Sequence, residues 1–222
     1  MVYPRKLFLF DLDGTLIDSR ADIALSVNLV LARLRLRPLD PATVIRFVGD
    51  GVESLMVRAL AHAAGAQPDS RMVGEAVNLL MEEYGRHLTD STKIYPGVRE
   101  ALHKLSWGNF AVVSNKPEDL SRRVLEALGL ADRFCIILGG DSLPARKPQP
   151  EPLLRAMQSC GASPQETVMI GDSPTDIQAG KGARVLTCGF SGGFRPAQEL
   201  LAAGCDILIS GMAELPCHFR AL

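Results

Sequence analysis

Apolar positions in this chain gather into six short runs: KLFLF (6–10), FAVVS (110–114), FCIIL (134–138), TVMIG (167–171), RVLT (184–187) and DILI (206–209). Each is too short for a helix and apolar at successive positions, the pattern of a strand buried on both faces. From the second run onward, helix-length stretches intervene at 97–106, 118–129, 151–160, 175–182 and 196–203, several starting after Pro or Ser and ending near Gly. This alternation predicts an α/β fold, a doubly wound, Rossmann-like and mostly parallel sheet with helices on both sides.

The first run breaks the rhythm. Between Leu16 and about Asp90 the pattern is helical. One stripe runs through Ile23, Val27, Val30, Leu31 and Leu34, a second through Val52, Leu55, Met56, Ala59 and Leu60, and a third covers 70–87 with Val73, Val77, Leu80 and Met81. A block of ~70 helical residues exceeds an ordinary crossover. It predicts an inserted all-helical domain over 17–90, closed by the IYPGV turn at 94–98, leaving 1–16 and 91–222 as the α/β core.

Composition narrows the function classes. The 222 residues are 47% hydrophobic and 22% charged, as in a folded globular protein. A net charge of -1 without single-sign blocks gives no reason to expect nucleic acid or a membrane surface as partner. Arg33, Arg35 and Arg37 read as the basic end of a helix. Five scattered cysteines without a CxxC pair are expected to be reduced thiols of a cytoplasmic protein. LFLF is too short for a signal peptide, no run approaches the ~18 apolar residues of a membrane span, and the four single histidines offer no zinc pattern. The expected assembly is a monomer or weak homodimer.

In open parallel sheets, ligands bind beyond the carboxyl ends of the strands. Asp11 and Asp13 follow the first predicted strand; Ser114, Asn115 and Lys116 the second; Gly139, Gly140 and Asp141 the third, leading to Lys147; Asp172, Ser173 and Asp176 the fourth. Carboxylates gathered there repel one another unless a cation sits among them. An oxygen-only donor set suits a hard ion, and Mg²⁺ in particular, bound through a few carboxylates together with a phosphate. Lysine and hydroxyl neighbours suit a phosphoryl group. One aspartate can attack phosphorus as nucleophile while the other moves protons.

The motif DLDGTLIDS (11–19), followed in order by VVSNK (112–116), the lysine of RKPQPEP (146–152) and GDSPTD (171–176), resembles the haloacid dehalogenase superfamily over nearly the whole chain. The stretches SNKPEDLSRRVLEALGL, GGDSLPARKPQPEPLL and RFVGDGVESL are similar to its phosphoglycolate phosphatase branch. The resemblance implies Asp11 as nucleophile and Asp13 as general acid/base, with Ser114 and the Asn115 backbone amide on phosphate oxygens and Lys147 neutralising charge. It further implies Mg²⁺ held by Asp11, Asp172 and the Asp13 carbonyl, with Asp176 supporting it directly or through water, and the helical insertion as a mobile cap. The expected partner is a small phosphate ester, 2-phosphoglycolate first.

Plainer readings stand beside these. Asp-Gly is common turn chemistry, and Ser173-Pro174-Thr175-Asp176 is also a helix start. Ser114 can simply end its strand, and Lys116 and Lys147 can be solvated side chains. Thr15 is a candidate for orienting the Asp11 loop, and Asp18 and Ser19 for capping the first inserted helix. Within Arg46–Gly51, glycines flank Asp50 in a loop able to close over a site, and Arg46 suits a substrate carboxylate. A glycine turn inside a helical domain is the alternative. A dehalogenase, a phosphomutase or pyrophosphatase, and a phosphate-binding non-enzyme are the rival functions.

Overall fold

The computed structural model describes residues 2–222, and these divide into two compact units. One comprises the chain up to Asp18 together with Ile94–Leu222; the other is Ser19–Lys93.

The first unit is built on six parallel strands: β1 Leu7–Phe10, β2 Asn109–Val113, β3 Ile136–Leu138, β4 Thr167–Gly171, β5 Leu186–Phe190 and β6 Ile207–Ile209. Their order across the sheet is β3-β2-β1-β4-β5-β6. All four residues of β1 are buried, because the strand is central and covered on both faces. Leu7 and Leu9 join a cluster with Ala111, Val113, Leu153, Ala156 and Met157. Phe8 and Phe10, on the other face, lie within 5.9 and 6.1 Å of the Phe110 ring. Each such ring contributes about 2 kcal/mol by leaving water.

Chain order reverses at β1. The strand that follows it in sequence pairs on one side and β4 on the other, with Phe10 opposite both Val112 and Ile170. The gap beyond the β1 and β4 ends is therefore the topological switch point, where an open α/β sheet leaves room for a ligand.

The second unit contains four helices among the described residues, α1 Arg20–Arg33, α2 Pro41–Phe47, α3 Val52–Ala64 and α4 Ser70–Arg86. The apolar stripes predicted α1, α3 and α4. Helix α2 escaped because seven residues with two buried positions, Val44 and Ile45, are too few for a visible period, although Asp40 as N-cap and Pro41 at N1 mark its start. Ser19 holds the N-cap position of α1 but makes no side-chain capping bond. The buried Asp22 instead accepts from the Ser91 and Thr92 amides and the Thr92 hydroxyl, tying the start of the unit to its end. Arg33 closes α1 as expected of a basic helix end and pairs with Glu82 and Glu83.

The remaining helices are α5 Val98–Lys104, α6 Glu118–Ala127, α7 Glu151–Cys160, α8 Pro174–Gly182 and α9 Ala197–Ala202, close to the stretches read from sequence. Among the described residues no helix is long and apolar enough to cross a membrane. One expectation is corrected: Cys135 and Cys160 form a disulfide, with Cα atoms 6.6 Å apart, so the five cysteines are not all thiols. Cys135 precedes β3 and Cys160 ends α7, which packs on that edge of the sheet; a separation of 25 residues carries no pairing signal in the sequence. The cysteine ground for a reducing compartment falls away with it.

Candidate active site

Beyond β1 the chain turns tightly. The Asp11 amide still donates to Ile170, continuing the β1–β4 ladder, and the Thr15, Leu16 and Ile17 amides all return to the Leu12 carbonyl. Leu12 is fully buried, which leaves Asp11 and Asp13, two residues apart, at the rim of the switch point. Gly14 has φ +88°, and an added Cβ there would lie 2.3 Å from the Asp172 carboxylate. Close approach to Asp172, as well as turn chemistry, is why glycine follows Asp13.

Lys147 Nζ lies 2.9 Å from Asp11 Oδ1 and 2.6 Å from Asp176 Oδ1, and its side chain is buried. A solvated surface lysine is excluded. Asn115 from the end of β2 fixes the same segment by donating its side-chain amide to the Lys147 carbonyl at 2.9 Å. Ser114 is buried at the end of β2, and its hydroxyl accepts from the Lys116 amide at 3.3 Å.

Asp172 follows β4 and is held at both oxygens: the Thr15 hydroxyl donates to Oδ1 at 3.0 Å and the Phe194 amide to Oδ2 at 2.7 Å. The Thr15 hydroxyl thus orients Asp172, while its amide helps close the turn after Asp11. The helix-start reading of Asp176 holds, and the same side chain reaches Lys147. Its Oδ2 accepts from the Ser173 amide and hydroxyl, completing a capping box at the start of α8, while its Oδ1 takes the Lys147 ion pair.

The structure thus brings Asp11, Asp13, Ser114, Asn115, Lys147, Asp172 and Asp176 to one rim. Arg46 and Asp50 belong to the helical unit: Arg46 donates to the Thr43 hydroxyl, and Asp50 pairs with Arg58 in a loop whose glycines, Gly49 and Gly51, have φ of +127° and +92°.

The sequence leaves one contributor undecided and gives no reading of another. Lys116, read as either solvated or functional, is buried with its Nζ 3.0 Å from Asp13 Oδ1. The loop after β5 supplies the Phe194 amide and packs Gly193 against Asp172; the Gly-Gly pair following a fifth strand was the available signal. A Cβ at Gly193 would stand 2.3 Å from both Asp172 Cβ and the Gly14 carbonyl. Gly193→Ala is therefore expected to displace Asp172, lowering thermal stability by about 1–3 kcal/mol and activity with it. An unchanged melting temperature and rate would remove this loop from the site.

Charge is unevenly balanced here. Burial, followed by repulsion from Asp176, raises the Asp11 carboxyl to about 6 despite Lys147 beside it. Burial, then Asp11 and Asp176, holds Asp172 well above the usual carboxylate range. Burial opposes the Lys147 charge, but Asp11 and Asp176 outweigh it and raise its affinity for protons. Oxygens of Asp11, Asp172 and Asp176 lie within 4.8 Å of one another. When all are ionised, four carboxylates face the ammonium groups of Lys116 and Lys147, an excess of negative charge equal to one divalent cation. Carboxylates with no imidazole or thiolate are a donor set that fits a hard ion.

Residues 8–190 match the family model of haloacid dehalogenase-like hydrolases. The phosphoglycolate phosphatase of Chromobacterium violaceum is 39% identical over 212 residues, covering 95% of this chain and 94% of its own. That of Neisseria meningitidis serogroup A is 41% identical over 187 residues, covering 83% and 80%. A crystal structure described as a predicted phosphoglycolate phosphatase from Haemophilus somnus superposes with a TM-score of 0.89 at 31% identity, covering 95% of this chain and 96% of that one.

Proposed function

The chain belongs to the haloacid dehalogenase-like hydrolases, and from that premise we propose that it is a Mg²⁺-dependent phosphatase of small phosphate esters, 2-phosphoglycolate first, working through an aspartyl phosphate on Asp11. The observation that carries the reading is the meeting, at the β1–β4 switch point, of Asp11 with Lys147 and the Asp172–Asp176 pair.

Asp11 Oδ attacks phosphorus while Asp13 gives a proton to the departing alcohol oxygen; Asp13 then takes a proton from the water that cleaves the acyl phosphate, and Asp11 is regenerated. Lys147 balances the charge of Asp11 and of the phosphoryl group. The Ser114 hydroxyl and the Asn115 backbone amide donate to the phosphoryl oxygens. Asp11, Asp172 and the Asp13 carbonyl would hold Mg²⁺, with Asp176 adjoining directly or through water, and the ion would offset negative charge on the transferring group. In this reading Asp176 also anchors Lys147, since its two oxygens accept from Lys147 and from Ser173.

An acid two residues after the nucleophile favours phosphoryl transfer over carbon–halogen cleavage, where no leaving alcohol needs a proton. The Ser19–Lys93 unit is read as the family's cap. Arg46 and Asp50 are proposed from their sequence positions as substrate-selecting residues.

A phosphate-release comparison of 2-phosphoglycolate, pyrophosphate and hexose phosphates tests the assignment, with phosphoglycolate expected among the highest kcat/KM values. A low rank for it would overturn the substrate and leave the chemistry standing. Failure to turn over any phosphate ester, aryl phosphates included, would point to a phosphate-binding protein.

A further inference from the structure

We propose that Lys116 is a positioning residue for Asp13, holding that carboxylate in the orientation from which it delivers its proton to the leaving oxygen; this rests on the reading of Asp13 as the acid/base. Nζ of Lys116 lies 3.0 Å from Oδ1 and 3.2 Å from Oδ2 of Asp13, so the ammonium faces both oxygens. Its side chain is only 3% exposed, against 12% for Asp13. A lysine buried this far is costly unless it is paired, and removing one partner leaves the other charge uncompensated.

The main chain of Lys116 is fixed independently of that pair. Its carbonyl accepts from the Gly140 amide at 2.9 Å and from the Ser121 hydroxyl at 3.4 Å, and its amide donates to the Ser114 hydroxyl at 3.3 Å. The turn after β3 presses against this segment so closely that side chains are excluded from it. A Cβ on Gly139 would lie 2.2 Å from the Glu118 nitrogen, and one on Gly140 would lie 2.4 Å from the Asn115 carbonyl oxygen. The lysine stem thus starts from a backbone clamped between β2 and β3 and reaches across to the loop after β1.

The two ammonium groups divide the work. Lys147 sits between Asp11 and Asp176, and Lys116 faces Asp13. The contact with Lys116 fixes the direction of the Asp13 carboxylate, an advantage where misplacement of a catalytic group costs rate steeply.

The test compares Lys116→Met, Asp13→Asn and the double variant in the full chain, reading kcat/KM for 2-phosphoglycolate and for p-nitrophenyl phosphate. An alkoxide leaving group needs the proton and a nitrophenolate does not, so loss of a well-placed acid falls selectively on the alkyl ester. Lys116→Met is expected to lower kcat/KM for phosphoglycolate about 100-fold, acting through kcat with KM little changed, and for the aryl ester less than about 5-fold. Lys116→Arg, which retains the charge, is expected to recover part of the loss. In the Asp13→Asn background, Lys116→Met is expected to cost nothing further. Equal losses on both esters, a rise in KM alone, or a further loss in the double variant would overturn the proposal. If Asp13→Asn itself does not discriminate between the esters, the assignment of Asp13 fails instead; if it does and Lys116→Met does not, only the role of Lys116 fails.

Discussion

Asparagine in place of Asp11 is expected to end phosphate release, with kcat lowered by at least about 10⁴-fold while the protein stays folded. The substitution keeps shape and volume and removes the nucleophilic oxygen anion. The structure gives a reason to expect little structural cost. Asp11 is half-buried, is repelled by Asp176 and has its carboxyl raised to about 6, so its negative charge is expensive to keep there. Lys147, the partner it would lose, still has Asp176 at 2.6 Å. The Leu12 amide, which donates to Asp11 Oδ1 at 2.7 Å, finds an acceptor in the asparagine carbonyl. Activity and thermal unfolding should therefore separate: no turnover, and a melting temperature at or above that of the unsubstituted protein without metal. Substantial turnover in the variant would remove Asp11 as nucleophile, and collapse of the fold would show that its charge is structural.

That separation reflects how differently the two kinds of information are written in the chain. The sheet is legible because β1, and β2 and β4 beyond their first residues Asn109 and Thr167, are buried on both faces and carry no polar side chain, and the polar residue that follows each run marks the rim. Asp11, Ser114 and Asp172 are found by that break alone. What holds them is less legible, because it depends on which loops meet. Asp172 depends on Thr15 and on Phe194, a backbone donor whose side-chain identity carries no signal. Lys116 has the same letter whether it reaches water or Asp13. The Cys135–Cys160 bond likewise depends on α7 packing against β3, a fact of topology. Helix α2 is a different case: its cap and proline were visible, but its buried stripe is too short to show a period.

Metal dependence and pH should be linked through the same carboxylates. Chelation is expected to silence the enzyme and Mg²⁺ to restore it, and the metal-free protein is expected to lose stability as pH rises from about 4 to 7. The sign follows from the direction of the shifts. Asp11 is raised from 3.8 to about 6 in the folded state, and Asp172 is raised as well. Between the unfolded and folded values the folded protein holds more protons than the unfolded chain, so stability falls as pH climbs through that window. Below it both states are protonated and the penalty disappears. At ~1.4 kcal/mol per pH unit, the Asp11 shift alone amounts to roughly 3 kcal/mol, with Asp172 adding in the same direction. For a chain of this size that is a drop in melting temperature on the order of 5–10 °C. Lys147 does not compete within this window: its raised affinity stabilises the fold below its unfolded value of 10.5 and is lost only at higher pH. A divalent ion favours the ionised carboxylates, so saturating Mg²⁺ should raise the melting temperature more at pH 7 than at pH 5. Asp172→Asn should flatten the pH slope and weaken the response to Mg²⁺ together. A stability that is level across this range, or a Mg²⁺ effect equal at both pH values, would mean that these carboxylates are not the metal site.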